Sequence, residues 1–133
     1  MEPLLCYDEA VICFNVDTNT VEINWLEVKD TESFKLVLTE LLDFIKAFGA
    51  TAVLLDIRKI EIFSPVQTIW FMKEILPRVI VAGLEKFAFI IDNKDVLKRE
   101  YVKNIQKNIE NDIIVYFECK QKEDVWMKDM VWF

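Results

Sequence analysis

Asp56, Arg58 and Ser64 are the side chains of this 133-residue chain whose types and spacing best suit chemistry. Asp56 and Arg58 stand two apart, where the apolar run Ala52-Val53-Leu54-Leu55 ends. A carboxylate and a guanidinium at the carboxyl end of a strand line the usual crevice of an open α/β sheet, where they can orient a small polar ligand. The competing reading is an ion pair that satisfies itself or nearby loop backbone. Ser64 opens the stretch Ser64-Pro65-Val66-Gln67. Its hydroxyl can accept a phosphoryl group at a helix N-terminus, where added negative charge is tolerated. It can equally serve as the cap of a capping box with proline at the first helical position.

The rest of the inventory argues against catalysis. The chain has no histidine, so the commonest general base and the commonest transition-metal ligand are missing. Glycine occurs only at Gly49 and Gly83, which leaves no GxGxxG and no phosphate-cradling loop. Cys6, Cys13 and Cys119 form no CxxC pair and are too few and too scattered for a disulfide framework. They read as buried thiols acting as small hydrophobes. The expectation is a protein that is not an enzyme and carries no metal and no cofactor.

Charge and apolar patterning bear on partners. Sixteen basic against 23 acidic residues give a net charge of −7, which repels phosphate backbones and anionic membrane surfaces, so nucleic acid is not expected. Arg99, Lys103 and Lys107 nevertheless fall in an i, i+4 row, with Lys94 and Lys98 close by. That row reads as an anion- or partner-binding stripe or, more simply, as a solvated helix face. Trp70 and Phe71 make one helix too apolar all round for a single wet face. Trp126, Trp132 and Phe133 make the C-terminus equally apolar. Part of each group belongs to a core, and part is a candidate interface for a protein partner or a second copy of the chain. The start, Met1-Glu2-Pro3-Leu4-Leu5, lacks the basic and long apolar regions of a secretory signal, and no run is apolar enough to span a membrane. A cytoplasmic protein with no membrane insertion is expected.

The elements that must position these residues follow from periodicity. Residues 10–16 and 21–25 alternate around the turn cluster Asp17-Thr18-Asn19-Thr20 and predict an antiparallel hairpin. Phe34, Leu38, Leu41, Leu42, Ile45 and Phe48 then recur at helical spacing, with Asp30 or Thr31 as cap and Gly49 as stop. Short apolar runs at 52–56, 87–91 and 113–117 have the character of central strands covered on both faces. Between them lie a helix from Pro65 that bends at Pro77 and closes at Gly83, and a helix capped by Asp95 with Leu97, Tyr101 or Val102, Ile105 and Ile109 inward. A last amphipathic helix is predicted from Gln121 through Val125, Trp126, Met130 and Val131. The pattern predicts one α/β domain over residues 1–133. An N-terminal hairpin precedes repeated helix–strand units in a mixed, mostly parallel sheet with about four helices.

Leu55-Asp56-Ile57-Arg58, the Ser64-Pro65 helix start, Trp70-Phe71, Leu76-Pro77-Arg78, Ala82-Gly83-Leu84 and Lys86-Phe87-Ala88-Phe89 together resemble the small bacterial STAS/SEC14-domain-like proteins. The resemblance spans nearly the whole chain in element order and implies a SpoIIAA-like fold. In anti-sigma-factor antagonists of that fold, a serine at the start of the second helix is phosphorylated to switch partners, within an Asp-Ser-Ser-Gly stretch. Here the corresponding pair falls on Ser64 and Pro65, and the glycine is absent. The resemblance therefore implies the fold without that phospho-switch. It also implies no enclosed lipid pocket, since the extra helices of the larger SEC14 proteins have no counterpart in 133 residues. The expected function is a regulatory protein-interaction module. The alternative is a small-molecule binder, of a polar or lipid-like ligand, with Asp56, Arg58 and Ser64 at the carboxyl ends of the parallel strands.

Overall fold

The structure, a computed structural model, describes residues 2–109 and 111–119. Six strands form one sheet: β1 (Glu2–Cys6), β2 (Ala10–Asn15), β3 (Thr20–Trp25), β4 (Ala52–Asp56), β5 (Lys86–Asp92) and β6 (Ile114–Cys119). Their order in space is their order in the chain. The pairs β1–β2 and β2–β3 are antiparallel, while β3–β4, β4–β5 and β5–β6 are parallel. The α/β class, the mixed sheet and the hairpin are as the periodicity predicts. Strand β1 is additional, and it joins β2 through an irregular register between Pro3 and Leu5.

Three helices make the parallel crossovers. Helix α1 (Thr31–Phe48) begins where Asp30 accepts a hydrogen bond from the Ser33 N–H at 2.7 Å. It ends where Gly49 turns left-handed at φ 61°, a conformation that costs glycine little. Helix α2 is built of three contiguous segments, Pro65–Trp70, Phe71–Ile75 and Leu76–Val81, the middle one in π geometry. The bend expected at Pro77 is thus accommodated one turn earlier. Proline supplies no N–H and crowds the preceding turn, and the wider π turn, with the Leu76 N–H bonded to Phe71 O, makes room for it. Helix α3 (Val96–Lys107) is capped by Asp95, which accepts from the Lys98 N–H at 3.0 Å. The fourth helix, predicted from Gln121, lies outside the described residues.

Three parallel crossovers of the usual right hand, made in sequential strand order, all fall on one face of the sheet. The packing agrees. One core joins Val53, Leu55, Phe87 and Phe89 of the strands to Phe34 and Leu41 of α1, Phe71 and Ile75 of α2, and Val102 and Ile105 of α3. Aromatic rings fill its thickest part. Trp25 lies 5.5 Å from Phe34 and 5.3 Å from Phe63, and Phe71 meets Phe87 edge-on at 5.2 Å. Each such side chain, fully buried, contributes roughly 1.5–3 kcal/mol. On the opposite face, among the described residues, Leu54, Ala88, Ile90, Val115 and Phe117 of β4, β5 and β6 form a separate buried cluster.

Candidate functional site

The carboxyl ends of β4, β5 and β6 carry a compact network of charged side chains. Asp56 follows Leu54 by two positions on a strand, so it projects toward the face that α1, α2 and α3 leave uncovered. Arg58 folds back onto it, with Nε 3.0 Å from Oδ1 and Nη2 2.7 Å from Oδ2. The Arg58 backbone N–H also donates to Asp56 Oδ1 at 3.0 Å, which fixes the turn leaving the strand. The side chains are only 8% and 14% exposed for Arg58 and Asp56. Hydrogen bonding to Asp56 holds the guanidinium above its ordinary pKa, more than burial lowers it. Arg58 Nη1 reaches Cys119 Sγ on β6 at 3.5 Å.

Helix α3 extends the network. Lys98 is buried and donates from Nζ to the Arg58 carbonyl at 3.2 Å, with Asp95 Oδ2 3.5 Å away. The expectation that Leu97 faces inward is therefore corrected. Positions 98, 102 and 105 form the inward row, and Leu97 stands on the surface. The lysine is tolerated there because a carboxylate and a carbonyl neutralise and satisfy its ammonium group. Arg99 is held by Glu118 and by the Asn93 carbonyl at 2.7 Å. It is thus withdrawn from the predicted basic row, leaving Lys103 half-buried and Lys107 exposed. The stripe is not a continuous cationic surface.

Ser64 lies elsewhere. It opens α2, on the helix-covered side, and forms the full capping box: Gln67 N–H donates to Ser64 Oγ at 3.2 Å, and Ser64 N–H donates to Gln67 Oε1 at 3.0 Å. Gln67 also donates from Nε2 to Thr31 Oγ1 at 3.3 Å, tying the starts of α1 and α2 together. Beside this cap is a half-open depression of about 430 Å³, lined by Leu26, Glu27 and Val28 after β3, by Lys59 to Ile62 after β4, and by Ser64 and Gln67. Asp56 and Arg58 do not line it. The three residues expected to share one crevice are therefore split between the two sides of the sheet. The physical reason is twofold. Strand alternation sends Asp56 away from α2, and a sheet whose strands follow chain order has no point where successive crossovers part to opposite faces, which is where an open α/β sheet forms its crevice.

The aromatic candidates also separate. Phe71 is 0% exposed and packed against Phe87 and Phe89, so it belongs to the core and not to an interface. Trp70 is half-buried, meets Phe34 edge-on at 6.1 Å, and has Lys35 Nζ 5.5 Å from its ring centre. Trp126, Trp132 and Phe133 lie outside the described residues. Cys6 is exposed rather than buried, while Cys13 and Cys119 are partly buried.

Of the exposed large apolar side chains, which also include Val16, Leu36 and Phe48 elsewhere, Val66 and Ile69 lie on α2 and Leu97 on α3, each within about one turn of the contact between those helices. Thr68 Oγ1 and Tyr101 Oη are 2.6 Å apart across the two helices. Ile69 directly follows Thr68, and Leu97 sits one turn before Tyr101. Val66, one turn before Ile69, is 68% exposed, Ile69 52% and Leu97 66%. The available signal was the helical phase of Pro65–Trp70, in which Val66 and Ile69 share the side opposite Gln67 and Phe71.

Among the described residues no helix is long and apolar enough to cross a membrane, and no three His, Cys, Asp or Glu side chains are placed to hold a metal ion. No protein-family model matches the chain, and no curated protein or solved structure matches it either.

Proposed function

We propose that the chain is a non-enzymatic, cytoplasmic regulatory module with a SpoIIAA-like, STAS-like fold, and that it acts by binding a protein through the surface where α2 meets α3. The observation that carries this reading is the exposed apolar group Val66, Ile69 and Leu97 flanking the Thr68–Tyr101 contact. Apolar side chains clustered on rigid helices are what an interface core requires. The polar groups best suited to chemistry are engaged with one another: Arg58 with Asp56, Ser64 with Gln67, and Arg99 with Glu118. Such pairing supports a binding role over a reactive one. The partner is another protein or a second copy of the chain.

The depression beside Ser64 favours a second reading, a small polar ligand held by Ser64, Lys59 and Glu61. Native mass spectrometry of the protein purified from its own cells separates the two. Under the first reading a protein partner, or a second copy, travels with the chain in fixed stoichiometry and is lost in the Ile69→Asp variant. A bound small molecule that survives Ile69→Asp and is lost in Lys59→Ala overturns it in favour of the second.

A further inference from the structure

Helix α1 separates its charges by flank. At about 100° per residue, Lys35 and Lys46 fall within about 20° of each other around the helix. Lys35 stands over the Trp70 ring, so theirs is the flank turned toward α2. Glu40, Phe44 and Phe48 follow one another at i, i+4 spacing on the other flank, and exposed Asp43 lies one turn from Glu40.

That second flank meets β1 and β2. Phe48 stacks on Phe14 of β2 with ring centres 5.0 Å apart and planes at 18°, and Phe44 lies 6.3 Å from Phe48. Leu5 of β1 pairs with the core residue Ile12 and so points to the same side of the sheet. Tyr7, just after β1, is close enough to Glu40 to feel its charge: partial burial and then this carboxylate push the phenol above its ordinary value. Leu5, Tyr7, Phe14 and Phe44 are only half-buried along this seam. At its end Phe48 is 46% exposed and Val16 69%. Single exposed apolar side chains are ordinary, whereas a contiguous aromatic run that reaches solvent marks a contact surface.

The charges beside the seam choose its occupant. Glu40 and Asp43 border it on α1, Asp17 follows Val16, and Asp8 and Glu9 follow Tyr7. Lys29 stands 3.8 Å from Asp8, while Lys35 and Lys46 are on the opposite flank of α1. A second copy does not fit. A two-fold contact through this seam sets Glu40 and Asp43 against their own counterparts, and like charges brought together at an interface are costly. A cationic segment gains from the same carboxylates, and the open Phe48 ring suits an arginine or lysine head group as well as an aliphatic one.

We propose that the seam between α1 and the strands β1 and β2 is a second docking surface, which takes a basic amphipathic segment of another protein. Its apolar side chains lie against Phe14, Phe44 and Phe48, and its cations face Glu40 and Asp43. This surface is separate from the one between α2 and α3, so neither stands or falls with the other.

The test titrates the isotope-labelled full chain with three short amphipathic peptides. They share the same leucine and tryptophan positions and carry arginine, glutamine or glutamate at the polar ones. The arginine peptide is expected to shift the amides of residues 5–16 and 36–48, with the glutamine peptide about tenfold weaker and the glutamate peptide weaker still. Glu40→Gln with Asp43→Asn, which keeps side-chain shape and so the fold, should weaken the arginine peptide about fivefold. Ile69→Asp should leave that binding unchanged. No binding by the arginine peptide overturns the proposal, as do shifts confined to other residues or equal binding of the glutamine peptide. Sedimentation of the wild-type chain supplies the last check: a dimer that Phe48→Ser disperses makes a second copy the occupant and also overturns it.

Discussion

Tyr101 Oη lies 2.6 Å from Thr68 Oγ1, a polar link between α2 and α3, with Phe63 edge-on to Tyr101 at 6.4 Å. Burial pushes the Tyr101 phenol up to about 12, and its bond to Thr68 offsets only part of that. The folded-state value lies above that of the unfolded chain, near 10. The stability contributed by the neutral phenol is therefore fully present below about pH 10 and is lost as pH rises from there toward 12. Denaturation of wild type and Tyr101→Phe should diverge below that window, by about 0.5–1.5 kcal/mol for the lost hydrogen bond, and converge through it. A difference that stays constant up to pH 12 would refute the assignment.

Asp56→Ala removes the carboxylate from a guanidinium that is 8% exposed. Breaking a pair at such burial costs about 3–5 kcal/mol, because the guanidinium loses its bidentate carboxylate. Replacing both residues, as Asp56→Leu with Arg58→Met, should recover most of that loss. Urea titration of the two variants reads both values, and a single-variant cost under about 1 kcal/mol would place the pair among ordinary surface contacts.

Two neighbours on α2 should behave oppositely. Phe71→Ala empties a site in contact with Phe87 and Phe89 and should cost about 3–5 kcal/mol. Ile69→Asp changes an exposed position and should leave stability within about 0.5 kcal/mol. Thermal melts suffice for the comparison. A large loss from Ile69→Asp would show that this side chain is part of the fold and not of an interface.

Hydrogen bonds from the Ser33 backbone and side chain hold the Asp30 carboxyl below its ordinary range at the start of α1. A depressed value means a contribution present above the unfolded pKa, about 3.9, and lost as pH falls through the lower folded value. Carbon-detected carboxyl titration should place the Asp30 midpoint below 3.9, and Asp30→Asn should keep the cap while removing this acid-dependent part. An Asp30 midpoint at or above 3.9 would contradict the bonding described.

Local signals carried most of the fold. Asp30, Asp95 and the Ser64–Gln67 box were readable because caps are chemical statements about three or four adjacent residues. The strand runs at 52–56 and 87–91 were readable from continuous apolarity. Residues 2–6 were not resolved into a strand of their own, since Pro3 breaks the alternation and the pairing with β2 is irregular there. Lys98 was misread because its inward phase, shared with Val102 and Ile105, conflicts with its charge, and the local partner Asp95 together with the distant Arg58 carbonyl resolves the conflict. The site suffered most. Asp56, Arg58 and Ser64 are close in sequence, but which face each one reaches depends on strand parity and on where α2 packs, and neither is a local property.

Because the strands stand in the sheet in the order of the chain, each one docks on the strand completed just before it. Every new pairing closes only the loop through one hairpin turn or one helix, so no strand must wait for a distant part of the chain. Such a domain can assemble from its N-terminus as it emerges from the ribosome, with β6 the last edge to form. Until that edge is complete, the apolar residues of β4 and β5 are the exposed ones, and aggregation of truncated chains should begin there.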